Sequence, residues 1–407
     1  MAQLPHPEPH VRRDPLRSIA RTPIPERSPR LFRIERIVLR EIRLPLREPF
    51  RISSGVVAER RILLLEIHDG DGHVAWSECV AGERPNYSPE TIETAWLALG
   101  EWIAPRVLGA AFDGPEKLYP ALERDFRGHN MAKASVEMGA WALGAMRAGE
   151  SLATFIAGSR RVRPHVETGI SLGIQQTPDA LVERARAALG AGYRKIKLKV
   201  EPGRDVQYVA AVREALGPDA PLMVDANNAY SIADFDRLAE LDAFALMMIE
   251  QPLAHDDLVR HAELQRRLRT PLCLDESITS PDRAQDMITL GSGRIINIKP
   301  GRVGGFGPSL AIHDLCARRD VPVWCGGMLE SGIGRAYNVA LASLPNFTKP
   351  GDLSPSARYW ERDVVTPEWI MSRDGMVRVP LKEPGLGVTP DVDRIDALTV
   401  RTAVLRA

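Results

Sequence analysis

Five charged residues recur at an almost constant interval along the middle of the chain. Lys199, Asp225, Glu250, Asp275 and Lys299 are separated by 26, 25, 25 and 24 residues. Each ends a short apolar run, at 196–198, 222–224, 245–249, 271–274 and 295–298. Such runs read as buried strands, although periodicity alone leaves short buried helices open. Stretches with helical spacing lie between them, at 206–216, 232–241 and 257–268. Strands alternating with helices predict repeated βα units and a parallel sheet. In a (β/α)8 barrel the C-terminal ends of all strands open on one face, so this period gathers the five charges on one rim. A surface carboxylate paired with the next loop explains one such residue readily and five in register poorly.

Three carboxylates converging there repel one another unless a cation lies between them. Oxygen ligands with no nearby His or Cys favour a hard ion, Mg²⁺, with Mn²⁺ or another divalent cation as a substitute. A lysine on each side of such an ion suits the movement of a proton on or off a carbon next to a carboxylate. The ion binds the carboxylate and takes up the second negative charge of the enediolate. A free lysine, pKa about 10.4, is neutral in roughly one molecule in a thousand near pH 7.4. Neighbouring positive charge lowers that pKa and makes the base available. Lys195, Lys197 and Lys199 alternate, and residues two apart on a strand share a face. Lys197 and Lys199 both point strictly inward only if the strand ends and bends there, and either could supply the field. Lys195 reads as a solvated residue at the strand start.

A chain of 407 residues exceeds the usual single domain, and two domains are the expectation. With 53 basic and 53 acidic residues the net charge is zero, which gives no electrostatic case for nucleic acid or an anionic membrane. No apolar run approaches the roughly 18 to 20 residues that span a bilayer, and the start has no signal-peptide core. Cys79, Cys273, Cys316 and Cys325 lack metal or redox spacing and read as reduced thiols of a cytoplasmic protein. Residues 1–30 hold seven prolines and six arginines and few large apolar side chains, and are expected to be a disordered or extended arm.

Beyond the arm the pattern becomes alternation, at 34–42, 62–67 and 73–78, with Asp69-Gly70-Asp71-Gly72 as a hairpin signal between the last two. Helical candidates follow at 91–103 and 132–147, so an α+β unit precedes the βα array. Segments 48–57 and 81–88 read as loops able to close over the barrel mouth. Residues 165–173 read as the first barrel strand and 177–191 as its helix. Ser171 points either into the site or into the strand interior, where a backbone-bonded serine is the blander reading. The glycine-rich turn 326–332 allows close approach to a ligand or is simply tight. The tail beyond Gly375 is too irregular for another βα unit and returns, in this reading, to the first domain.

Lys197-Leu198-Lys199, Val224-Asp225-Ala226-Asn227, Ile249-Glu250-Gln251-Pro252, Leu274-Asp275-Glu276-Ser277 and Asn297-Ile298-Lys299-Pro300 resemble the enolase superfamily, muconate-lactonizing subgroup. More closely, residues 31–390 resemble the N-succinylamino acid (N-acylamino acid) racemases and their o-succinylbenzoate synthase relatives. That resemblance includes Arg127-Gly128-His129-Asn130-Met131-Ala132-Lys133 and Asn346-Phe347-Thr348-Lys349-Pro350-Gly351-Asp352. It implies an α/β fold, a modified (β/α)7β TIM barrel with an α+β capping domain. The corresponding division is a 1–30 extension, a 31–160 cap joined by 376–407, and a 161–375 catalytic barrel.

The resemblance also implies Mg²⁺ on Asp225, Glu250 and Asp275, with Lys199 and Lys299 as the acid/base pair on opposite faces of a small-molecule carboxylate. Ser171, Lys197 and Asn227 match positions around that carboxylate and the metal, Arg302 a supporting arginine of the racemases, and Leu329 a substrate contact. Relatives are commonly homo-oligomers. The implied activity is racemisation of N-acyl, specifically N-succinyl, amino acids. Dehydration to o-succinylbenzoate, or cycloisomerisation or epimerisation through the same enediolate, is the alternative. The Asp-x-Asp signature of dipeptide epimerases is absent at 327–332. A metal-stabilised binding protein would not need both lysines, and a Schiff-base lyase using Lys199 would not need three carboxylates.

Overall fold

The computed structural model describes residues 32–52 and 55–407. The arm expected at 1–30 lies outside the described residues. The chain opens with three antiparallel strands, β1 (Phe32–Ile52), β2 (Gly55–Asp69) and β3 (Val74–Cys79). The Asp-Gly signal is explained by Asp69, whose Oδ1 accepts from the amides of Asp71 (3.0 Å) and His73 (2.8 Å) and closes the turn. Among the helices that follow are α1 (Ile92–Ala98), started by a Thr91–Thr94 capping box, and α2 (Asn130–Arg147), which packs on the sheet.

Residues 48–52 and 55–57 are strand, not loop. Phe50, Arg51 and Ile52 pair with Val57, Val56 and Gly55, extending the β1–β2 hairpin beyond a register shift between Pro45 and Phe50. Pro45 and Pro49 hide the strand in sequence because proline cannot donate to a ladder, and they fall where pairing is interrupted.

The second unit is a parallel sheet of seven strands in chain order, β4 (Ile170–Leu172), β5 (Ile196–Lys199), β6 (Leu222–Asp225), β7 (Ile249–Glu250), β8 (Leu272–Leu274), β9 (Ile295–Ile298) and β10 (Val323–Cys325). Covered on both faces, these strands are buried along their length and most read as apolar runs, while β5 alternates Ile196-Lys197-Leu198-Lys199. Between them run α3 (Pro178–Gly190), α4 (Val206–Leu216), α5 (Phe235–Glu240), α6 (Leu258–Arg267), α7 (Pro281–Leu290) and α8 (Phe306–Arg318), and α9 (Gly332–Ala342) follows β10. Thr177, Asp205, Asp257, Ser280 and Ser331 accept backbone amides as N-caps, which is why five of these helices start where they do.

The ring is closed by a segment with no strand pattern. Phe347 bridges Val323 and Gly351 bridges Thr168. The Gly169 amide donates to Gly351 O (2.7 Å) and the Asp352 amide to Cys325 O (2.9 Å). The fold is thus an α/β (β/α)7β barrel with an α+β cap.

Three expectations change. The run 245–249 yields a strand of only two residues, because Leu241–Phe244 forms a 3₁₀ turn and Ala245 has φ 46°. Residues 165–173 split, His165–Glu167 pairing antiparallel with Met376–Arg378 and Ile170–Leu172 entering the barrel. The tail therefore divides among three sheets, Thr389–Pro390 pairing with Val365–Thr366, and only its last strand, β11 (Thr399–Arg406), joins the cap sheet by pairing with β1. Among the described residues no helix is long and apolar enough to cross a membrane.

Candidate active site

The register of the barrel places Lys199 beside Asp225 and Asp225 beside Glu250, each at the last position of its strand. Asp275 and Lys299 stand one residue beyond β8 and β9. All five are buried. Left-handed backbone concentrates at the same rim, with φ of 43° at Asn227, 64° at Asn228, 37° at Gln251 and 56° at Leu329. Strained residues just past strand ends are held only where their surroundings over-determine them.

Each carboxylate is partnered by a side-chain cation. Lys199 Nζ donates to Asp225 Oδ2 (2.6 Å) and to Asn227 Oδ1. Lys197 Nζ lies 3.3 Å from Glu250 Oε2, 3.4 Å from Asp225 Oδ2 and against Asp352 Oδ2. Lys299 Nζ donates to Asp275 Oδ2 (2.8 Å), and Arg302 bonds Asp275 Oδ1. Asn297 Nδ2 donates to Glu250 Oε1 (2.7 Å).

Burial works against the charge on Asp225 and Asp275, yet Lys199 then Lys197 for the first, and Lys299 then Arg302 for the second, hold both below the usual carboxylate range. Glu250 is pushed up to about 8, first by burial and then by the charge of Asp225, with Asp275 adding to it. Burial disfavours the Lys299 ammonium, but Asp275, Tyr87 and Glu276 outweigh it and raise its pKa. The expected lowering by neighbouring positive charge is thus not what Lys299 shows; its acidic neighbours dominate.

Among the described residues no three His, Cys, Asp or Glu side chains form a cluster of metal-ligand spacing, since each carboxylate is turned to its own cation. The donor chemistry nonetheless fits a hard divalent ion. Asp225, Glu250 and Asp275 are buried, supply oxygen only, and lie close enough that the charges of the other two raise Glu250's pKa.

Ser171 is buried and its Oγ has no hydrogen-bond partner among the described residues, so it is not the backbone-bonded serine of the blander reading. Asn227 Nδ2 donates to Glu276 Oε1 (3.1 Å). Arg302 also donates through Nε to Ile278 O (2.7 Å). Leu329 is half-buried in the turn after β10. Lys195 is not solvated. It is fully buried, 3.0 Å from Asp352 Oδ1, with Nζ 3.4 Å from the Trp324 ring centroid. Lys195, Lys197 and Lys199 all reach the barrel interior, as sharing one strand face requires, and no bend is needed to bring the last two in.

Three residues escaped the sequence reading. Asp352, on the closing segment, partners both Lys195 and Lys197, which outweigh its burial and hold it strongly ionised. Glu276 accepts from Asn227 and Asn228, and burial and Asp275 push it up to about 7. Tyr87, from the cap, donates to Asp275 Oδ1 (3.0 Å) and lies with its ring 4.5 Å from Lys299 Nζ. Glu276 and Asp352 fell inside the family-like motifs and Tyr87 inside the loop segment 81–88, but nothing in such a pattern says which side chain reaches across. From the other side of the mouth, the hairpin tip docks through Arg51 O, which accepts from the Ile174 amide (3.1 Å).

Residues 180–394 match the family model described as enolase C-terminal domain-like, and residues 34–157 match that of the mandelate racemase / muconate lactonizing enzyme N-terminal domain. The chain belongs to the enolase superfamily. Within that superfamily it is 49% identical to an o-succinylbenzoate synthase of Geobacillus kaustophilus, covering 89% of this chain and 94% of that protein. It is 47% identical to an N-succinylamino acid racemase of Thermus thermophilus, covering 89% and 97%. A solved enolase-superfamily structure from Listeria innocua superposes with a TM-score of 0.88 at 37% identity, over 92% of this chain and 99% of that one. As an enolase-superfamily enzyme, the chain carries its acid/base lysine candidates on the second and sixth strands of the ring.

Proposed function

We propose that this enzyme racemises N-acyl, specifically N-succinyl, amino acids through a two-lysine mechanism. The carrying observation is the placement of Lys199 and Lys299 on strands four apart in a ring of eight, hence across the mouth from one another. Racemisation needs a proton taken from one face of the α-carbon and another returned to the opposite face. In this reading each lysine is base toward one enantiomer and acid toward the other. As is general for enolase-superfamily sites, a Mg²⁺ ion held by Asp225, Glu250 and Asp275 would stabilise the second negative charge that develops on the substrate carboxylate. Lys197 adds positive charge beside that carboxylate, while Ser171 and Asn227 offer it hydrogen bonds. Arg302 fixes Asp275 from behind, and Leu329 bounds the side-chain end of the substrate.

A second reading, dehydration to o-succinylbenzoate, has support in relatives of that name at 46–49% identity. Dehydration also begins with α-proton removal but does not require a proton donor on each face. Purified protein with Mg²⁺ should be assayed on both enantiomers of N-succinyl amino acids and on the o-succinylbenzoate precursor. Interconversion of the enantiomers is the expected result. Turnover of the precursor alone would replace the first reading by the second.

A further inference from the structure

The cap contributes a buried carboxylate to the barrel that the chemistry above does not use. Glu78, on β3, is almost fully buried, and its Oε2 accepts from the Ser331 amide (3.0 Å), Ser331 Oγ (2.6 Å) and the Gly334 amide (3.2 Å). These are the N-cap and first turn of α9. Trp76, two residues earlier on the same strand, accepts at its carbonyl from Tyr337 Oη of that helix (2.7 Å). Only glycine fits at 334, since a Cβ there would stand 2.8 Å from both Glu78 Oε2 and Glu330 Cβ.

The turn that Glu78 holds leads directly to Lys299. A Cβ on Gly326 would stand 2.7 Å from Lys299 Cε and 2.3 Å from Asn297 Oδ1, so the backbone of the turn forms a wall against the lysine's shaft. Between Gly326 and Ser331, Leu329 adopts its left-handed φ, and Glu330 Oε1 accepts from the Met328 amide (2.8 Å) and Asn338 Nδ2 (2.7 Å). The turn is therefore clamped from the barrel side by Glu330 and from the cap side by Glu78. Lys199, across the ring, touches neither clamp; its partners are Asp225 and Asn227. Arg60 of β2, 7% exposed, brings a buried guanidinium to the same cluster; burial pushes Glu78 up to about 8, a rise that the Ser331 hydrogen bond and the Arg60 charge oppose, and burial lowers Arg60 against the charges of Glu78 and Glu330.

We infer that Glu78 is a positioning residue for Lys299: by pinning Ser331 and the start of α9 from the cap, it holds the 326–331 turn against the lysine's shaft. The inference rests on the two-lysine reading for its kinetic consequence and on geometry alone for its structural one. The cap then acts on one of the two proton-transfer groups and not on the other.

The test uses the full-length protein and Glu78→Ala, which removes the acceptor of all three hydrogen bonds, with Ser331→Ala as a milder variant that removes one of them together with the Ser331 cap on the Ile333 amide. Amide hydrogen exchange across 326–334 should quicken in Glu78→Ala, and less so in Ser331→Ala, whatever the substrate. Unchanged exchange there would overturn the inference. In D₂O with Mg²⁺, α-deuterium incorporation into the enantiomer assigned to Lys299 by single-lysine variants should fall about tenfold, as a misplaced catalytic group entails. Incorporation into the other enantiomer should stay within about twofold. Equal loss for both enantiomers would mark Glu78 as a merely structural residue and overturn it. Absence of incorporation by the wild type would refute the two-lysine reading instead, and amide exchange would still decide the positioning role.

Discussion

Two regions of this enzyme that bury carboxylates give them different partners. At the seam between cap and barrel, Glu78 accepts from the Ser331 and Gly334 amides, and Glu137 from the Phe306 (2.7 Å) and Gly307 (2.8 Å) amides. At the barrel mouth, Asp225, Glu250 and Asp275 are partnered by Lys199, Lys197, Lys299 and Arg302. An amide in the first turn of a helix is fixed in position and direction by the backbone and cannot turn to another partner unless the helix end itself moves. An ammonium on a four-carbon stem can turn to a substrate or yield its place to an ion. The same residue type is thus a fixed pin at the seam and an exchangeable charge at the mouth. Burial alone does not tell the two apart; the identity of the donor does.

The mouth is where the contrast breaks most severely. Removal of divalent metal should abolish turnover, and Mg²⁺ or Mn²⁺ should restore it. Asp225→Asn, Glu250→Gln and Asp275→Asn should each weaken metal binding, read by calorimetry. Undiminished turnover after exhaustive chelation, or unchanged affinity in all three variants, would remove the ligand assignment.

The seam should respond in stability rather than chemistry. Glu137→Ala would strand two buried amides and the Trp141 indole N–H that donates to Oε1 (2.8 Å). Leaving such donors unsatisfied costs about 1–3 kcal/mol each, and a loss of about 2–4 kcal/mol in denaturant titration is expected after partial relaxation. A loss under about 0.5 kcal/mol would show that the pin is dispensable. The smallest effect is on pH dependence. Burial pushes Glu137 up to about 7 from an ordinary 4.5, against the opposing hydrogen bonds from Gly307, Phe306 and Trp141. Between those values the folded protein holds a proton that the unfolded chain has lost. Glu137's contribution therefore makes stability fall as pH rises through that window. Glu137→Gln should remove that slope, and thermal melts of both proteins from pH 4.5 to 7.5 would show it.

The mouth was legible in sequence and the seam was not, for a physical reason. A βα repeat converts linear spacing into angular position, so residues about 25 apart, each ending an apolar run, land on one rim by construction. Glu78 and Glu137 carry no such spacing. Their partners lie 253 and 169 residues away, and nothing local to a strand or helix position predicts an amide arriving from another unit. The closing segment 346–352 was likewise recognisable only as a motif, because five backbone hydrogen bonds to its neighbours, rather than an alternating pattern, make it the eighth stave. Lys195 was misread because a lysine at a strand start is ordinarily solvated, and its carboxylate and aromatic partners come from the last two staves of the ring, far away in sequence.

The most direct test of the central claim is α-proton exchange in D₂O by Lys199→Met and Lys299→Met, each with Mg²⁺ and each enantiomer of an N-succinyl amino acid. Each variant should lose racemisation in both directions, by more than the roughly 10²- to 10⁴-fold typical of general acid/base catalysis. Each should still exchange the α-proton of one enantiomer without inversion, and the two variants should prefer opposite enantiomers. A single-lysine variant that racemised near the wild-type rate would contradict the account.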